Sequence, residues 1–353
     1  MELKTLGWNQ QFESEFETYK QEGYSVGRVA LEHKHMYRVL TEHGEVLAEV
    51  SGKFQYNAAG RGAYPAVGDW VVLSIRNEEG KATIHNVIPR VSKFSRNIAG
   101  ATTEEQIVAA NVDTVFIVAA LNADFNVRRI ERYMLMAWES GANPVIILSK
   151  ADLCQDIDEK VSETESVAIG VPIHVVSAGR NIGLEALSDY IQEGKTVALL
   201  GSSGVGKSTL VNSFTGKETL KTGDIREDDD RGRHTTTHRE LVVLDQGGIL
   251  IDTPGMRELQ LWETDTGLSQ GFSDIKDLAS RCRFRDCGHN GEPGCAVRKA
   301  IEQGELDAER YKSYLKLQKE LAYLERKEDK QQLAQAQKDK GKKLRWVRGR
   351  QGN

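Results

Sequence analysis

The chain is predicted to be a multi-domain α/β protein. It should hold an N-terminal β-barrel, a doubly wound α/β domain and a cysteine-rich helical C-terminal domain. Three observations predict this. Short strand-like segments separated by glycines run from about Ser25 to Pro89, a spacing that suits a small barrel. From Val112 onward, apolar runs alternate with helical patterns, the mark of a parallel sheet wound by helices. Three of the four cysteines then fall between Cys282 and Cys295. The expected divisions are 1–24 (a helix and linker), 25–95, 96–262 and 263–353.

The elements follow in order. Met36–Leu40, Val46–Val50 and Asp69–Leu73 read as barrel strands, and a span of this length suits a five-stranded OB-fold. Its basic and aromatic residues Lys34, His35, Tyr37, Lys53, Tyr56 and Arg61 are expected on the surface, suited to stacking and pairing with RNA; an ordinary barrel surface is the other reading. Asp113–Ala120 is apolar enough for a buried parallel strand. A helix over Val127–Ser140, a strand Pro144–Leu148, a helix near Ile157–Ile169, a strand Ile173–Val176 and a helix Leu184–Ile191 come next. The strand Thr196–Leu200 leads into the helix that Leu210–Phe214 opens, and Glu240–Leu244 and Gly248–Ile251 close the sheet. A helix is expected over Leu306–Gln337.

Bulk properties narrow the function. With 353 residues, 39% hydrophobic and 28% charged, the composition is that of a soluble globular protein. No apolar run reaches the roughly 20 residues of a membrane span. Met1–Lys20 is acidic and aromatic, unlike a signal peptide, which points to the cytoplasm. Net charge is −5, but the stretch from Arg310 to Asn353 carries 14 Lys/Arg against 5 Asp/Glu, a net of +9. The remainder therefore holds −14. A polyanion contact is expected of the tail alone, unless it is a plain solvated helix with a frayed end.

Gly201-Ser202-Ser203-Gly204-Val205-Gly206-Lys207-Ser208 fits the phosphate-binding pattern G-x-x-x-x-G-K-[ST], with Thr209 following. Its glycines let backbone N–H groups wrap phosphates, Lys207 reaches the terminal ones and Ser208 is suited to Mg²⁺. Asp252-Thr253-Pro254-Gly255 begins 44 residues after Ser208. Asp252 is placed to hold Mg²⁺ and the Gly255 N–H to sense a γ-phosphate. Between them, Arg231–Thr237 reads as a switch loop. Thr236 is the preferred Mg²⁺ ligand there, with Thr235 the other choice.

Ser149-Lys150-Ala151-Asp152 precedes all of these. The Asp152 carboxylate can accept from N1–H and the exocyclic amine of guanine, donors that adenine lacks, and Lys150 can pack along the base. Ser177-Ala178, 25 residues after Asp152, suits the backbone contact to the guanine oxygen. Ser149 stands where Asn or Thr is usual, and its hydroxyl can brace the loop. A guanine-nucleotide domain normally carries its base-reading loop last, so this order implies circular permutation. The chain then leaves the nucleotide domain just after Gly255, which predicts that the following module moves with nucleotide state. Met256 occupies the position where many switch GTPases orient water with glutamine. His234 is the candidate replacement, with His238 second, or a partner supplies the group.

Cys282, Cys287, His289 and Cys295 read C-x4-C-x-H-x5-C, a closed tetrahedral set for one structural Zn²⁺. Arg281, Arg283 and Arg285 intersperse the ligands, and Lys342, Lys343, Arg345, Trp346, Arg348 and Arg350 follow in the tail. Both groupings suit a nucleic-acid backbone. Cys154 stands alone and is expected to be a buried, inert thiol.

Taken together, Ile107–Asp113, Ser149–Asp152, Gly201–Ser208, Gly232–Thr237, Asp252–Glu258 and Glu292–Cys295 resemble the ribosome small subunit-dependent GTPase A family (RsgA, or YjeQ), over nearly the whole chain. The resemblance implies an OB-fold, a circularly permuted P-loop GTPase and a zinc domain. It also implies action late in small ribosomal subunit maturation, with GTP/GDP and Mg²⁺ as cofactors, and the subunit and its rRNA as partners. Hydrolysis stimulated by that subunit and followed by release is implied in turn. Ser149 departs from the family's base-reading motif, and the acidic bulk shifts RNA contact onto the barrel face and tail. A monomer suffices. A non-ribosomal GTP-dependent switch, or a zinc-containing RNA-binding module with incidental hydrolysis, are the alternatives.

Overall fold

Five strands between Ser25 and Val87 close on themselves. They are β1 (Ser25–His33), β2 (Met36–Thr41), β3 (Gly44–Val50), β4 (Trp70–Arg76) and β5 (Lys81–Val87), paired in the order β1-β2-β3-β5-β4 with β4 returning to β1. A short helix α2 (Gly52–Asn57) crosses from β3 toward β4. This computed structural model describes residues 1–33, 36–76, 80–98, 104–216, 240–252, 271–319, 321–322 and 326. The barrel is of the OB type, closed so that no strand edge is left open. Val29, Tyr37, Val39, Ala48, Val71, Leu73 and Ile84 fill it. Tyr37 corrects the expected surface set, because its ring is wholly buried in this core. Lys53, Tyr56 and Arg61 are exposed as expected, Tyr56 most of all, while Lys34 and His35 lie outside the described residues.

The N-terminal helix α1 (Gln10–Gln21) is capped by Asn9, whose side chain accepts from the Gln11 and Phe12 amides. Its Phe12 and Phe16, with Trp8, pack on Trp70, Val72 and Ile88 at one end of the barrel. A two-stranded ribbon, β6 (Lys93–Ile98) with β7 (Glu104–Ala110), leads on from the barrel.

The second sheet is built from β8 (Thr114–Ala120), β9 (Asn143–Ser149), β10 (Ile173–Val175), β11 (Thr196–Leu200), β12 (Glu240–Val243) and β13 (Ile249–Asp252). Its order is β10-β9-β8-β11-β13-β12, parallel except for the antiparallel edge strand β12. β8 is buried along nearly its whole length, as an apolar parallel strand covered on both faces should be. Its connecting helices are α3 (Val127–Ser140), α4 (Ile157–Glu165) and α5 (Lys207–Thr215). The expected helix over Leu184–Ile191 is present as a 3-10 helix, Glu185–Tyr190. It has no side-chain cap, and Leu187 and Tyr190, three residues apart, both turn to the core.

β12 also pairs with barrel strand β1 at Leu31 and Glu240, and Arg38 of β2 makes an ion pair with Glu240. A deeper joint is made by Arg28. Its buried guanidinium donates to the carbonyls of Leu6 (2.5 Å), Gly68 (3.1 Å) and Asn111 (2.9 Å) and lies over the Trp70 ring. Asn111 adopts a left-handed backbone and ties back to Gly68 through its amide. Burial pulls the Arg28 pKa down to about 10, partly countered by Asp113 and Asp69, so it stays charged at neutral pH. Arg28→Met is expected to lower stability by about 3 kcal/mol, because the buried Leu6 and Asn111 carbonyls lose their donor and Gly68 keeps only that of Asn111. An unchanged denaturant midpoint would contradict this.

The chain divides into two compact units, Met1–Arg96 with Glu105–Gln260, and Asn97–Glu104 with Leu261–Asn353. In the second, α6 (Ser273–Ser280), α7 (Ala296–Glu302) and a helix over residues 308–319 surround Phe272, Ile275, Val297, Ala300, Leu306 and Tyr311. Arg310 fastens the last helix to α6 by paired bonds to Asp274, both 2.8 Å, and stacks over Phe272.

Candidate functional site

The expected nucleotide residues converge on the carboxyl ends of the parallel strands. Ser149 ends β9, Ser177 follows β10, Gly201 follows β11 and Asp252 ends β13. The chain builds β8, β9 and β10 outward in one direction, then returns to lay β11 on the other side of β8. That reversal between β8 and β11 is the kind of topological switch point at which open α/β sheets bind ligands.

The phosphate loop takes the backbone form its glycines allow. Gly201, Gly204 and Gly206 all have positive φ, and a Cβ on Gly201 would lie 2.4 Å from the Val118 carbonyl. Gly206 is the N-cap of α5, so Lys207, Ser208 and Thr209 form that helix's first turn. Lys207 Nζ donates to the carbonyls of Gly201 (2.7 Å) and Ser202 (2.6 Å), which holds its charge within the loop. Ser203, Gly204 and Ser208 are exposed, whereas Val205 is anchored in the core.

Ser149 is bonded to this loop. Its buried hydroxyl donates to the Val205 carbonyl at 2.6 Å, joining the base-reading segment to the phosphate loop across 56 residues of sequence. Lys150 has a left-handed backbone, and the Ala151 amide donates to Val176, which sets the turn beside β10. Asp152 Oδ1 accepts from Ser177 Oγ at 2.5 Å, and Arg180 Nε stands 3.7 Å from Oδ2. The Ser177 hydrogen bond holds the Asp152 carboxyl below the usual carboxylate range, with Arg180 and Lys150 adding to the effect. Ala178 starts the short 3-10 turn after Ser177, closed by an Ile182–Ser177 bridge. Nearby Cys154 is half-buried rather than buried.

His234, Thr236 and Gly255 lie outside the described residues, as do Thr235, His238 and the basic tail from Lys342. One pair of residues was not expected. Arg129, in the first turn of α3, donates to Ser202 Oγ at 2.6 Å and to Asp124 at 2.7 Å. No motif marks it, because its loop partner is 73 residues away.

In the second unit Cys282, Cys287, His289 and Cys295 come together, with one ligand atom from each lying within 4.8 Å of the others. His289 Nδ1 is 3.5 Å from Cys282 Sγ and 3.4 Å from Cys295 Sγ, and those sulfurs are 4.0 Å apart. Tetrahedral Zn²⁺ with thiolate bonds of about 2.3 Å gives edges of about 3.5–3.8 Å, close to these three separations. The amides of Ala296 and Arg298 point at the Cys282 and Cys295 sulfurs, an arrangement that favours thiolates. Glu292 accepts from the Gly288 and Asn290 amides and shapes the loop that carries His289.

Comparison with known proteins agrees with this geometry. The RsgA GTPase family model matches residues 87–262. An ABC transporter model matches residues 184–342, a span that includes the phosphate loop. The small ribosomal subunit biogenesis GTPase RsgA 1 of Oceanobacillus iheyensis is 49% identical over 320 residues, covering 90% of this chain and 91% of that protein. The small ribosomal subunit biogenesis GTPase RsgA of Opitutus terrae is 46% identical, covering 98% of this chain and 96% of that protein. Among solved structures, YjeQ from Thermotoga maritima superposes with a TM-score of 0.63 at 30% identity, over 85% of this chain and 99% of that one. YloQ, described as a circularly permuted GTPase, gives 0.60 at 25% identity, over 85% and 95%. The chain belongs to the RsgA GTPase family.

Proposed function

We propose that this GTPase docks on the small ribosomal subunit late in its maturation, hydrolyses GTP under that subunit's stimulation and is then released. Family membership makes it a GTP-hydrolysing enzyme. The observation that carries the reading is the Ser149–Val205 bond, which unites the base-reading and phosphate-binding segments of a permuted chain into one site. The relatives' names, small ribosomal subunit biogenesis GTPase, support the choice of partner.

In this reading Asp152, with Lys150, Ser177 and Ala178, selects guanine. The amides of Ser203 to Ser208 wrap the phosphates, and Lys207 leaves its two carbonyls to meet the β–γ oxygens. Ser208, in the first turn of α5, and Asp252, at the end of β13, are hard oxygen donors suited to Mg²⁺. That ion, when bound, neutralises charge on the transferred phosphoryl group. Thr236 would complete its ligands, Gly255 would sense the γ-phosphate and His234 would orient water. Zinc, held by Cys282, Cys287, His289 and Cys295, would be structural. Lys53, Tyr56 and Arg61 on the barrel would meet rRNA, with the arginines around the zinc ligands and the basic tail. No helix among the described residues is long and apolar enough to cross a membrane, and we place the protein in the cytoplasm as a monomer.

GTP turnover measured with and without purified small subunits tests the proposal. Several-fold stimulation is expected. It should fade as salt rises, because each phosphate contact adds about 0.7–0.9 to the log–log salt slope. Equal rates with and without subunits would overturn it.

A further inference from the structure

Arg129 brings a second positive charge to the phosphate loop. It is the third residue of α3, and its amide donates to the cap residue Asn126 at 3.0 Å, so the side chain leaves a fixed point. Its Nη1 contacts Ser202 Oγ at 2.6 Å, while Lys207 Nζ contacts the Ser202 carbonyl at 2.6 Å. The guanidinium and the ammonium therefore meet on the same loop residue. Asp124 holds the guanidinium there through the same Nη1, at 2.7 Å. The side chain remains about one-third exposed, 35%, so it is not locked in the core and can move.

We propose that Arg129 is a catalytic arginine supplied in cis for the γ-phosphate. In this proposal, which rests on Gly201–Ser208 being the phosphate site, Asp124 balances the guanidinium until GTP arrives. The triphosphate then replaces that carboxylate as its anionic partner, beside Lys207. A planar guanidinium can bridge two phosphate oxygens, which a lysine cannot do. Charge spreads over the γ-oxygens as the bond to the leaving GDP loosens, and a fixed guanidinium stabilises it there. Water forms the new P–O bond, the β–γ bridging bond breaks toward GDP, and the water's proton leaves with phosphate. Met256 cannot orient that water, so the rate rests more heavily on charge stabilisation.

GDP lacks the γ-phosphate and separates catalysis from loop support. Arg129→Ala is expected to lower kcat for GTP about 100-fold while GDP affinity stays within about twofold. Arg129→Lys should recover only a small part of that loss. The proposal is overturned if kcat is unchanged, or if GDP and GTP affinities fall together, since the guanidinium would then only prop the loop. Lys207→Ala serves as the control. If it keeps full hydrolysis, the phosphate-site assignment itself fails, and that outcome is distinct from a null result at Arg129.

Discussion

Asp152→Asn is expected to lower affinity for GDP and GTP by about 1,000-fold and to give the site affinity for xanthine nucleotides. The Asp152 carboxylate has two acceptor oxygens, and guanine presents two matching donors, N1–H and the exocyclic amine. Ser177 already donates to one oxygen and Arg180 stands near the other, so the group is oriented and kept ionised. Asparagine keeps one acceptor but turns an N–H toward the exocyclic amine, donor against donor. Sites built on hydrogen bonds reject a mismatched partner this strongly, because buried groups are left unpaired. Xanthine carries a carbonyl in place of that amine, and the asparagine N–H then pairs with it. The surrounding turn should persist, since it is held by the Ala151–Val176 and Leu148–Val176 backbone bonds, not by the carboxylate. Fluorescent nucleotide titrations with GDP and xanthosine diphosphate decide the matter. Undiminished GDP binding by the variant would remove Asp152 from the base-reading role.

Much of this site was legible because its residues act through local chemistry. A glycine-rich loop between a strand and a helix has few other readings, and the Ser149 hydroxyl donates to that loop. Tyr37 was misread although the signal was present. Strand β2 alternates strictly in burial, and Tyr37 shares its face with Val39 and Thr41, so an inward Val39 requires an inward Tyr37. Its aromatic character suggested stacking, whereas strand parity decided its place. The segment around Glu185–Tyr190 has an apolar pattern that fits either a three- or a four-residue turn, and packing chose the tighter one. Arg28 and Arg129 were invisible for another reason. Their partners are brought up by folding from 22 to 83 residues away, and nothing near either residue announces them.

Stripping zinc from the Cys282–Cys295 cluster should unfold the second unit's helices while leaving nucleotide binding intact. α6 ends just before Cys282 and α7 begins just after Cys295, so the four ligands, with the Arg283–Gly294 backbone bond, fix one helix end against the other. Without a metal, sulfurs only 4.0 Å apart lose the cation that would hold them together. Among the described residues, Phe272, Ile275, Val297, Ala300, Leu306, Tyr311, Leu317 and Leu321 are the apolar side chains buried in this unit. Structural zinc contributes roughly 10–16 kcal/mol in small domains at pH 7, as much as the whole stability of an ordinary one. Elemental analysis should find one zinc per chain. Chelation, or Cys287→Ser, should then remove the helical signal of residues 271–319 and their protection from hydrogen exchange. The Asp152 and Lys207 site belongs to the other unit and has its own core, so GDP affinity and basal hydrolysis should survive. Stimulation by the small subunit should be lost along with the arginines that the zinc loop displays. A chelated protein that keeps both its helices and its stimulation would mean that the cluster is held by packing, and that zinc has no structural part in docking.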